Sequence, residues 1–535
     1  MVARTQNRGR TRSLFRFVAL ALALSVSAGA LTILAVAYGD DIVSALLGAA
    51  DSTDADAADG NVISSTEVPR DCSPQPPTST EPIAATDPAT IVIELSRRLN
   101  TCADRVVLAG TDPAARWTAA QAAIDSDAVY LLAGDEPDPQ LLAELNRLAP
   151  EEVLLVGAPP ATSATLTGDW EFTEQPADPM AQPPIPPDGD GSVLWSLDGA
   201  DPDLAALLAP AATRARAAVV ELGARAGSTT APDWFEIAAE VVDRLRAAES
   251  MQLIGSFSAT DVWQLGALRS GTELPGGGLT IGPDKRYIAF YGAPGTSLLG
   301  VLGEQDPAAT LDRMQPLLTE YQTDDGVVVV PTFELIATVA AADAGDDGDY
   351  SNETPVAALR PYVDHAAENG VYVLLDLQPG RTDFLTQAKR YEELLTQPHV
   401  GLALDPEWRL APDQRHLRQL GSVDAAEINE VSAWLADLVR QHALPQKMLL
   451  IHQFNLSMVT NRSAIEERPE LSVVIQMDGQ GPLGTKYGTL AALVRGTEDG
   501  HWRWGWKNFY DEDAPMATPA QTLAVDPQPV YVSYQ

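Results

Sequence analysis

In the C-terminal half of the chain, short apolar runs repeatedly end at an acid or another hydrogen-bonding residue. The runs are Val327–Val330 before Glu334, Val371–Leu375 before Asp376, Leu402–Leu404 before Asp405 and Glu407, Met448–Ile451 before His452 and Gln453, and Val473–Met477 before Asp478. Continuous apolar runs of this length are typical of parallel strands that are buried on both faces. In a barrel of parallel strands the carboxyl ends meet at one rim, where the active sites of such barrels lie. The pattern therefore favours an enzyme.

Residues 251–535 have the length of one (β/α)8 barrel, and helix-forming segments separate the apolar runs. One such helix is predicted from Ala425 to His442, because Ile428, Val431, Leu435 and Leu438 share one face. Strands are predicted to start near Leu253, Tyr287, Val327, Val371, Val400, Lys447, Leu471 and Trp502. We therefore expect residues 251–535 to form a TIM-barrel-like hydrolase domain.

Helix and strand patterns also alternate in residues 88–250. A helix from Pro88 to Asn100 precedes strand 106–108, and later strands are predicted at 129–132 and 153–156. Asp138 before Pro139 is a strong helix start, because Asp caps the first turn and Pro fits it. The overall class is α/β, with a doubly wound α/β domain before the barrel.

The N-terminal segment 1–39 carries five arginines, and these precede an apolar run from Phe17 to Gly39. This order indicates either a signal peptide, with Ala35-Val36-Ala37 as a cleavage site, or an uncleaved signal anchor. In both cases the rest of the chain is exported, and an uncleaved segment would hold it at the membrane facing outward. Residues 40–87 are rich in Ala, Asp and Pro, which is typical of a disordered stalk.

The formal net charge is −39, from 74 acidic and 35 basic residues. Such a surface repels nucleic acid, so we expect no nucleic-acid partner. Cys72 and Cys102 are the only cysteines, and in an exported chain they are expected to form a disulfide. Six scattered histidines offer no clear metal motif, so neither a metal nor a cofactor is predicted, although calcium held by carboxylates stays an alternative.

The first domain contains Tyr130-Leu-Leu-Ala-Gly-Asp, then Leu141-Leu-Ala-Glu-Leu-Asn-Arg-Leu, then Glu152-Val-Leu-Leu-Val-Gly157. This order resembles the type 2 cell wall-binding repeat, although Ala158 stands where that family has a second glycine. The resemblance implies a place at a bacterial envelope, with cell-wall polysaccharide as partner. The alternative is a generic α/β unit.

Asp405 and Glu407 are two residues apart at a predicted strand end, so their side chains are expected on one face. Neighbouring carboxylates raise each other's proton affinity, as a general acid requires. Asp478 is predicted to join them as a catalytic residue. The substrate-binding candidates are Asp376, Glu334, His452, Gln453, Trp408, Trp504, Trp506 and Tyr510, since acids and amides hydrogen-bond sugars and aromatic rings stack on them.

The Asp-x-Glu at 405–407, the later Asp478 and the late tryptophans resemble the chitinase-like glycoside hydrolases, and also the family 25 lysozyme-like barrels. The resemblance implies that Glu407 protonates the glycosidic oxygen and that Asp405 orients an acetamido group of the substrate. A partner at Asp478 would share the proton or hold the acetamide. The chain departs from the chitinase-like motif, because Leu402, Ala403 and Leu404 stand where that motif has Asp and Gly.

Other interpretations stay open at this point. Asp405 before Pro406 could cap a helix, His452 could be structural, and the alternating tryptophans could be core residues. The sequence therefore predicts a glycoside hydrolase acting on a wall or capsular polysaccharide. The alternatives are a non-catalytic cell wall-binding or scaffold protein with a degenerate barrel, and a transferase that uses the same rim.

Overall fold

The structure is a computed structural model. It describes residues 70–75, 81–134, 138–157, 164–187, 192–196, 203–221, 234–237, 239–495, 497 and 500–535. The predicted signal or anchor segment and the first part of the predicted stalk lie outside the described residues. Within the described ranges, none of the helices has both the length and the apolar character that a bilayer crossing needs. Arg70–Gln535 form one compact unit.

The end of the predicted stalk packs on this unit. Cys72 and Cys102 form a disulfide, with their Cα atoms 5.0 Å apart. Ile83 is 2% exposed and pairs with Ile254 as an isolated parallel bridge. The described parts of residues 70–87 therefore belong to the folded unit.

The first part of the unit is a parallel sheet covered by helices. Its elements are α1 (Pro88–Leu99), β1 (Arg105–Ala109), α2 (Pro113–Ser126), β2 (Val129–Leu132), α3 (Pro139–Leu148), β3 (Glu152–Val156) and β4 (Glu171–Gln175). The strand order is β2-β1-β3-β4, with all pairs parallel. Asp87, Asp112 and Asp138 each cap a helix that has Pro in its first turn. The Asp-Pro pairs thus set where these three helices begin.

A second, separate parallel sheet follows. Its elements are β5 (Ser192–Ser196), α4 (Leu204–Ala215), β6 (Ala218–Glu221), α5 (Ala239–Ala247), β7 (Ser250–Ile254) and α6 (Ala259–Ser270), and the strand order is β6-β5-β7. Leu253 lies in β7, where it pairs with Trp195 of β5. The prediction that the first barrel strand starts at Leu253 is therefore wrong.

Eight parallel strands close into a barrel after these two sheets. The strands are β8 (Lys285–Gly292), β9 (Val328–Ala340), β11 (Tyr372–Leu377), β12 (Val400–Leu404), β14 (Lys447–Gln453), β16 (Leu471–Met477), β17 (Arg503–Asn508) and β18 (Tyr531–Tyr534), while β10 (Ser351–Glu353), β13 (Val423–Asp424) and β15 (Val459–Thr460) are short additions. The helices are α7 (Pro307–Tyr321), α8 (Val356–Glu368), α9 (Phe384–Arg390), α10 (Glu392–Leu395), α11 (Ala425–Gln441), α12 (Leu483–Val494) and α13 (Pro519–Leu523). Strand β18 pairs with both β17 and β8, which closes the ring. The predicted closed barrel of α/β class is confirmed.

The eighth barrel strand, which the sequence did not predict, is β18, and its sequence is Tyr-Val-Ser-Tyr. It is short and mixes aromatic with polar residues, so it does not stand out as an apolar run. The other seven predicted strand starts lie within two residues of barrel strands. The prediction thus placed most of the barrel but missed the strand that closes it.

Strand alternation divides the barrel side chains between two environments. One set packs inside the barrel, among them Tyr287, Tyr372, Leu374, Ala403, Leu450, Val474 and Tyr531. The alternate set packs outward against the helices, as Val373, Leu375 and Leu404 do. Two positions after Leu374, Ala403 and Leu450 come Asp376, Asp405 and His452, which the same alternation turns inward. An apolar floor inside the barrel therefore lies beneath a polar layer.

Gly401 in β12 provides a test of this packing. A Cβ at this position would lie 2.7 Å from both the Met448 carbonyl oxygen and the Tyr372 hydroxyl. We expect Gly401→Ala to lower the free energy of unfolding by about 1–3 kcal/mol, as overpacking does. Chemical denaturation measures this change.

Gly484→Ala is the matched control, because Gly484 lies in helix α12 with nothing within 4 Å of an added Cβ. We expect it to be neutral or to stabilise by up to about 1 kcal/mol. Equal effects of the two substitutions would contradict the tight interior at Gly401.

Candidate functional site

Seven of the eight barrel strands supply a polar side chain to the layer above the apolar floor, and Tyr531 of the eighth strand reaches this layer from the floor with its hydroxyl. In strand order these residues are Tyr291, Glu334, Asp376, Asp405, His452, Asp478, Lys507 and Tyr531, where Asp405 and Asp478 directly follow their strands. A cavity of about 540 Å³ opens at the carboxyl ends of the strands. Its polar lining includes Tyr291, Gln378, Asp405, Glu407, Asp478 and Lys507. Its volume lies in the range of small-molecule sites.

His452 is the centre of this polar layer and is fully buried. Its Nδ1 donates to Asp478 Oδ2 at 2.7 Å, and its Nε2 donates to Glu334 Oε1 at 2.9 Å. Burial lowers the pKa of His452, but the charges of Asp478, Glu334 and Asp405 outweigh it and hold the pKa well above its ordinary value. His452 is therefore an imidazolium that uses both ring N–H groups.

Two tyrosines donate hydrogen bonds to the acids deeper in the barrel. The Tyr531 hydroxyl donates to Glu334 Oε2 at 2.7 Å, so both oxygens of that carboxylate are bonded. The Tyr291 hydroxyl donates to Asp376 Oδ2 at 3.0 Å and accepts from Gln378 Nε2 at 3.1 Å. Glu334 and Asp376 are both fully buried, and they lie beneath the residues that line the cavity.

Lys507 is the second cation of the site. Its Nζ lies 3.2 Å from Asp478 Oδ1 and 3.7 Å from the centroid of the Tyr291 ring. Burial lowers the pKa of Lys507, but the charges of Asp478, Glu334 and Asp405 more than offset this and hold the pKa above its ordinary value, so the ammonium stays charged. Burial raises the pKa of Asp478, but Lys507 and His452 more than offset this and hold it below its ordinary value. Asp478 is thus an ionised carboxylate between two cations.

The pKa values of Asp405 and Glu407 are raised, whereas that of Asp478 is lowered. Burial raises the pKa of Asp405 well above its ordinary value, and the charge of Glu407 adds to this. Burial followed by the charge of Asp478 raises the pKa of Glu407 to about 7. Asp376 behaves similarly, since burial raises its pKa to about 6. The cavity therefore contains proton-holding carboxyls beside one ionised carboxylate, which is the arrangement of an acid–base pair.

Glu407 reaches the cavity by a different route from the predicted one. Strand β12 ends at Leu404, and residues 406–408 form a 3-10 turn rather than more strand. Gly421 holds this turn, because its N–H donates to the Glu407 carbonyl at 2.9 Å and an added Cβ would lie 2.4 Å from that oxygen. Glu407 forms no salt bridge within the described residues, and its side chain lines the cavity with Asp405 and Asp478.

Only one of the predicted aromatic contacts faces the cavity. Trp408 lines it, with its ring centroid 5.3 Å from that of His416. Trp504 and Trp506 pack in the hydrophobic layer between barrel and helices, because the inward positions of β17 are Gly505 and Lys507. Tyr510 is 43% exposed and lies against Tyr534, with ring centroids 5.6 Å apart. The expectation that Trp504, Trp506 and Tyr510 stack on a sugar in this cavity is therefore corrected.

Gln453 also points away from the cavity. Its Oε1 accepts from Arg462 at 2.6 Å, and its Nε2 donates to the Asn455 carbonyl at 3.2 Å. It follows His452 in the strand, so alternation turns it to the outer face. Gln453 therefore supports the loop after β14 rather than a ligand in the cavity.

Sequence reasoning missed Lys507, Tyr291 and the aromatic residues Phe454 and Phe509, all of which line the cavity. The signal for Lys507 was present, since Trp504 and Trp506 facing outward forces Lys507 inward. Tyr291 lies in a strand without an acidic end, so the pattern of acids at strand ends gives no signal for it. The aromatic pair lies in loops after β14 and β17, where no periodic pattern applies.

One atom each of Asp405, His452 and Asp478 lies within 4.8 Å of the others, which is a spacing that metal ligands have. Both nitrogens of His452 already donate to carboxylates, so the ring has no lone pair for a metal in this arrangement. A second acidic group, formed by Asp347, Asp349 and Glu353, lies near the barrel rim. Asp349 there accepts from the Ser351 N–H and the Thr382 hydroxyl.

Comparisons with known proteins give little further information. No protein-family model matches the chain, and no curated protein matches it. A solved structure titled Cwp6 from Clostridium difficile is similar at 14% sequence identity, with a TM-score of 0.18. The match covers 70% of this chain and 63% of that chain, so it spans less than two thirds of that protein. A TM-score this low assigns neither fold nor function.

The raised pKa of Glu407 makes a prediction about stability. The folded protein holds this proton up to about pH 7, whereas the unfolded chain releases it near its ordinary value of 4.5. Stability is therefore lost as pH rises through this window. We expect Glu407→Gln to raise the free energy of unfolding at pH 8 by about 1–3 kcal/mol, since each pKa unit corresponds to about 1.4 kcal/mol. The gain should vanish below about pH 4.5.

Urea denaturation at several pH values measures this difference. Glu320→Gln is the control, because Glu320 is exposed on helix α7 and should change nothing at any pH. A loss of stability in Glu407→Gln at pH 8 would mean that the Glu407 carboxylate has a stabilising partner.

Proposed function

We propose that the barrel hydrolyses glycosidic bonds in a wall or capsular polysaccharide. The observation that supports this most is the contrast between two carboxyls that line one cavity. Glu407 holds a proton up to about pH 7, while Asp478 is kept ionised by Lys507 and His452. A protonated acid beside an ionised carboxylate is what glycoside hydrolysis requires.

In this mechanism Glu407 donates its proton to the glycosidic oxygen as the bond from that oxygen to the anomeric carbon breaks. The leaving sugar departs as an alcohol, and positive charge develops on the sugar that remains. Asp478 stabilises that charge or bonds to the anomeric carbon. Water then supplies a hydroxyl group to this carbon, and its proton restores Glu407. Asp405 contacts the substituents of the bound sugar.

The charge of the site favours this chemistry over acyl transfer. Five carboxyl groups, those of Glu334, Asp376, Asp405, Glu407 and Asp478, surround two cations, those of His452 and Lys507. The ionised Asp478 stabilises positive charge that develops beside it and disfavours an oxyanion. An oxocarbenium-like transition state is positive, whereas the tetrahedral intermediate of an esterase is negative.

The cavity walls also suit a sugar. Trp408, Phe454 and Phe509 are aromatic residues of its lining, and Gln480 and Thr489 are neutral polar residues there. A location at the cell envelope follows from the arginine-rich, apolar N-terminal sequence and from the likeness of residues 130–157 to a cell wall-binding repeat. We therefore propose that the substrate is an extracellular polysaccharide.

The direct test is release of reducing sugar from purified wall and capsular polysaccharides by the full-length protein. We expect Glu407→Gln to lower the rate about 10²–10⁴-fold, which is the usual contribution of a general acid. The exposed Glu320→Gln control should retain the rate of the original protein. If no polysaccharide yields product and the protein co-sediments with walls, the proposal fails in favour of a wall-binding scaffold.

The dependence of the rate on pH gives a second prediction. Glu407 must be protonated to act, so kcat/KM should fall as pH rises above about 7. On the alkaline side the loss should approach tenfold for each pH unit. A rate that stays constant to pH 9 would exclude Glu407 as the acid.

A further inference from the structure

Acidic residues outnumber basic residues in the cavity wall. Four carboxyl groups line it, those of Asp405, Glu407, Asp478 and Glu512, whereas Lys507 is the one cation among the described lining residues. The Lys507 ammonium is already engaged, because it pairs with Asp478 at 3.2 Å and lies over the Tyr291 ring. The remaining acids of the wall thus face a space without a protein cation.

Asp405 has an unused acceptor in this wall. The residue is 2% exposed, and its Oδ1 has no hydrogen-bond partner among the described residues. A buried polar atom without a partner costs free energy, so its presence in a cavity wall points to a ligand that donates to it. The ligand must supply an N–H or O–H group at Asp405.

Aromatic faces accompany these acids. Trp408, Phe454 and Phe509 line the same cavity as Asp405 and Glu407. Carboxyl groups beside aromatic residues form a favourable environment for an ammonium group, through ion pairing and cation–π attraction. A neutral hydroxyl would only satisfy the acceptor, whereas an ammonium would also favour the ionised form of Asp405, because a nearby cation lowers the pKa of a carboxyl.

We infer that the sugar bound at Asp405 carries a free amino group, so that the substrate is a glycan containing hexosamine that is not N-acetylated. This inference rests on the proposed glycosidase function and specifies its substrate class. The ammonium would donate to Asp405 Oδ1 and add positive charge beside Glu407 and Asp478. An N-acetyl group has a single N–H and no charge, so it would satisfy the acceptor without favouring the ionised form of Asp405.

The inference also differs from what the chitinase-like resemblance implies for this position. That resemblance assigns Asp405 the task of orienting an acetamido group. The two assignments predict opposite preferences for the nitrogen substituent. A comparison of matched oligosaccharides therefore separates them.

The test measures binding of β-1,4-linked tetramers of glucosamine, N-acetylglucosamine and glucose by calorimetry. The full-length Glu407→Gln variant is used at pH 6, so that hydrolysis does not consume the ligand. We expect the glucosamine tetramer to bind roughly tenfold or more tightly than the other two, as expected for a charged hydrogen bond. In a background that also carries Asp405→Asn, this preference should disappear, whereas adding Glu320→Gln should leave it unchanged.

Equal or tighter binding of the acetylated tetramer would overturn the inference, and so would failure of all three tetramers to bind. The comparison between ligands needs no change at Asp405, so misfolding of that variant cannot decide the result. Hydrolysis by the original protein tests the function separately. Cleavage of acetylated or neutral glycans alone, dependent on Glu407, would keep the glycosidase and remove the amino-sugar preference.

Discussion

The interaction on which the rest of the site depends is the pair of hydrogen bonds that the His452 ring donates to Asp478 and Glu334. Buried carboxylates are costly unless a cation and further hydrogen bonds compensate for their lost hydration. His452 compensates two of them through hydrogen bonds of 2.7 and 2.9 Å. Tyr531 donates to the remaining oxygen of Glu334, and the Lys507 ammonium lies 3.2 Å from the remaining oxygen of Asp478. Without these hydrogen bonds, two buried carboxylates above an apolar floor would lack the cation that compensates for their lost hydration.

The positions of His452 and Lys507 also divide the acids into those that lose their protons and those that keep them. Asp478 lies within reach of both cations, so it loses its proton readily. Asp405 and Glu407 also lie near His452, which lowers the pKa of both, but burial and the neighbouring acids outweigh this effect, so they keep their protons. The difference between the acids arises from position relative to two cations rather than from residue type. It also carries a stability cost, since the folded protein holds protons that the unfolded chain would release.

The parts of the site that could be predicted follow from strand geometry. Glu334, Asp376 and His452 lie within apolar strands, and alternation carries them inward beside the floor residues. The same rule excludes Trp504 and Trp506 and selects Lys507, because the two tryptophans face outward and Lys507 follows Trp506 in the strand. Helix starts were predictable wherever Asp precedes Pro, because both residues act locally. Strand β18 was not, since Tyr531–Tyr534 become a strand only through pairing with β17 and β8.

The departure from the chitinase-like motif also has a structural reason. In that motif further acids precede the Asp-x-Glu on one strand, whereas β12 has Gly401 and Ala403 at its inward positions. Tyr372 crosses the barrel interior beside Gly401, and its hydroxyl accepts from the Met448 N–H at 3.0 Å, so no larger side chain fits there. The acids behind Asp405 come instead from neighbouring strands, through Asp376 and Glu334. A barrel rim can therefore assemble an acidic site from several strands when one strand is reserved for packing, because the closed ring brings all eight strand ends to one place.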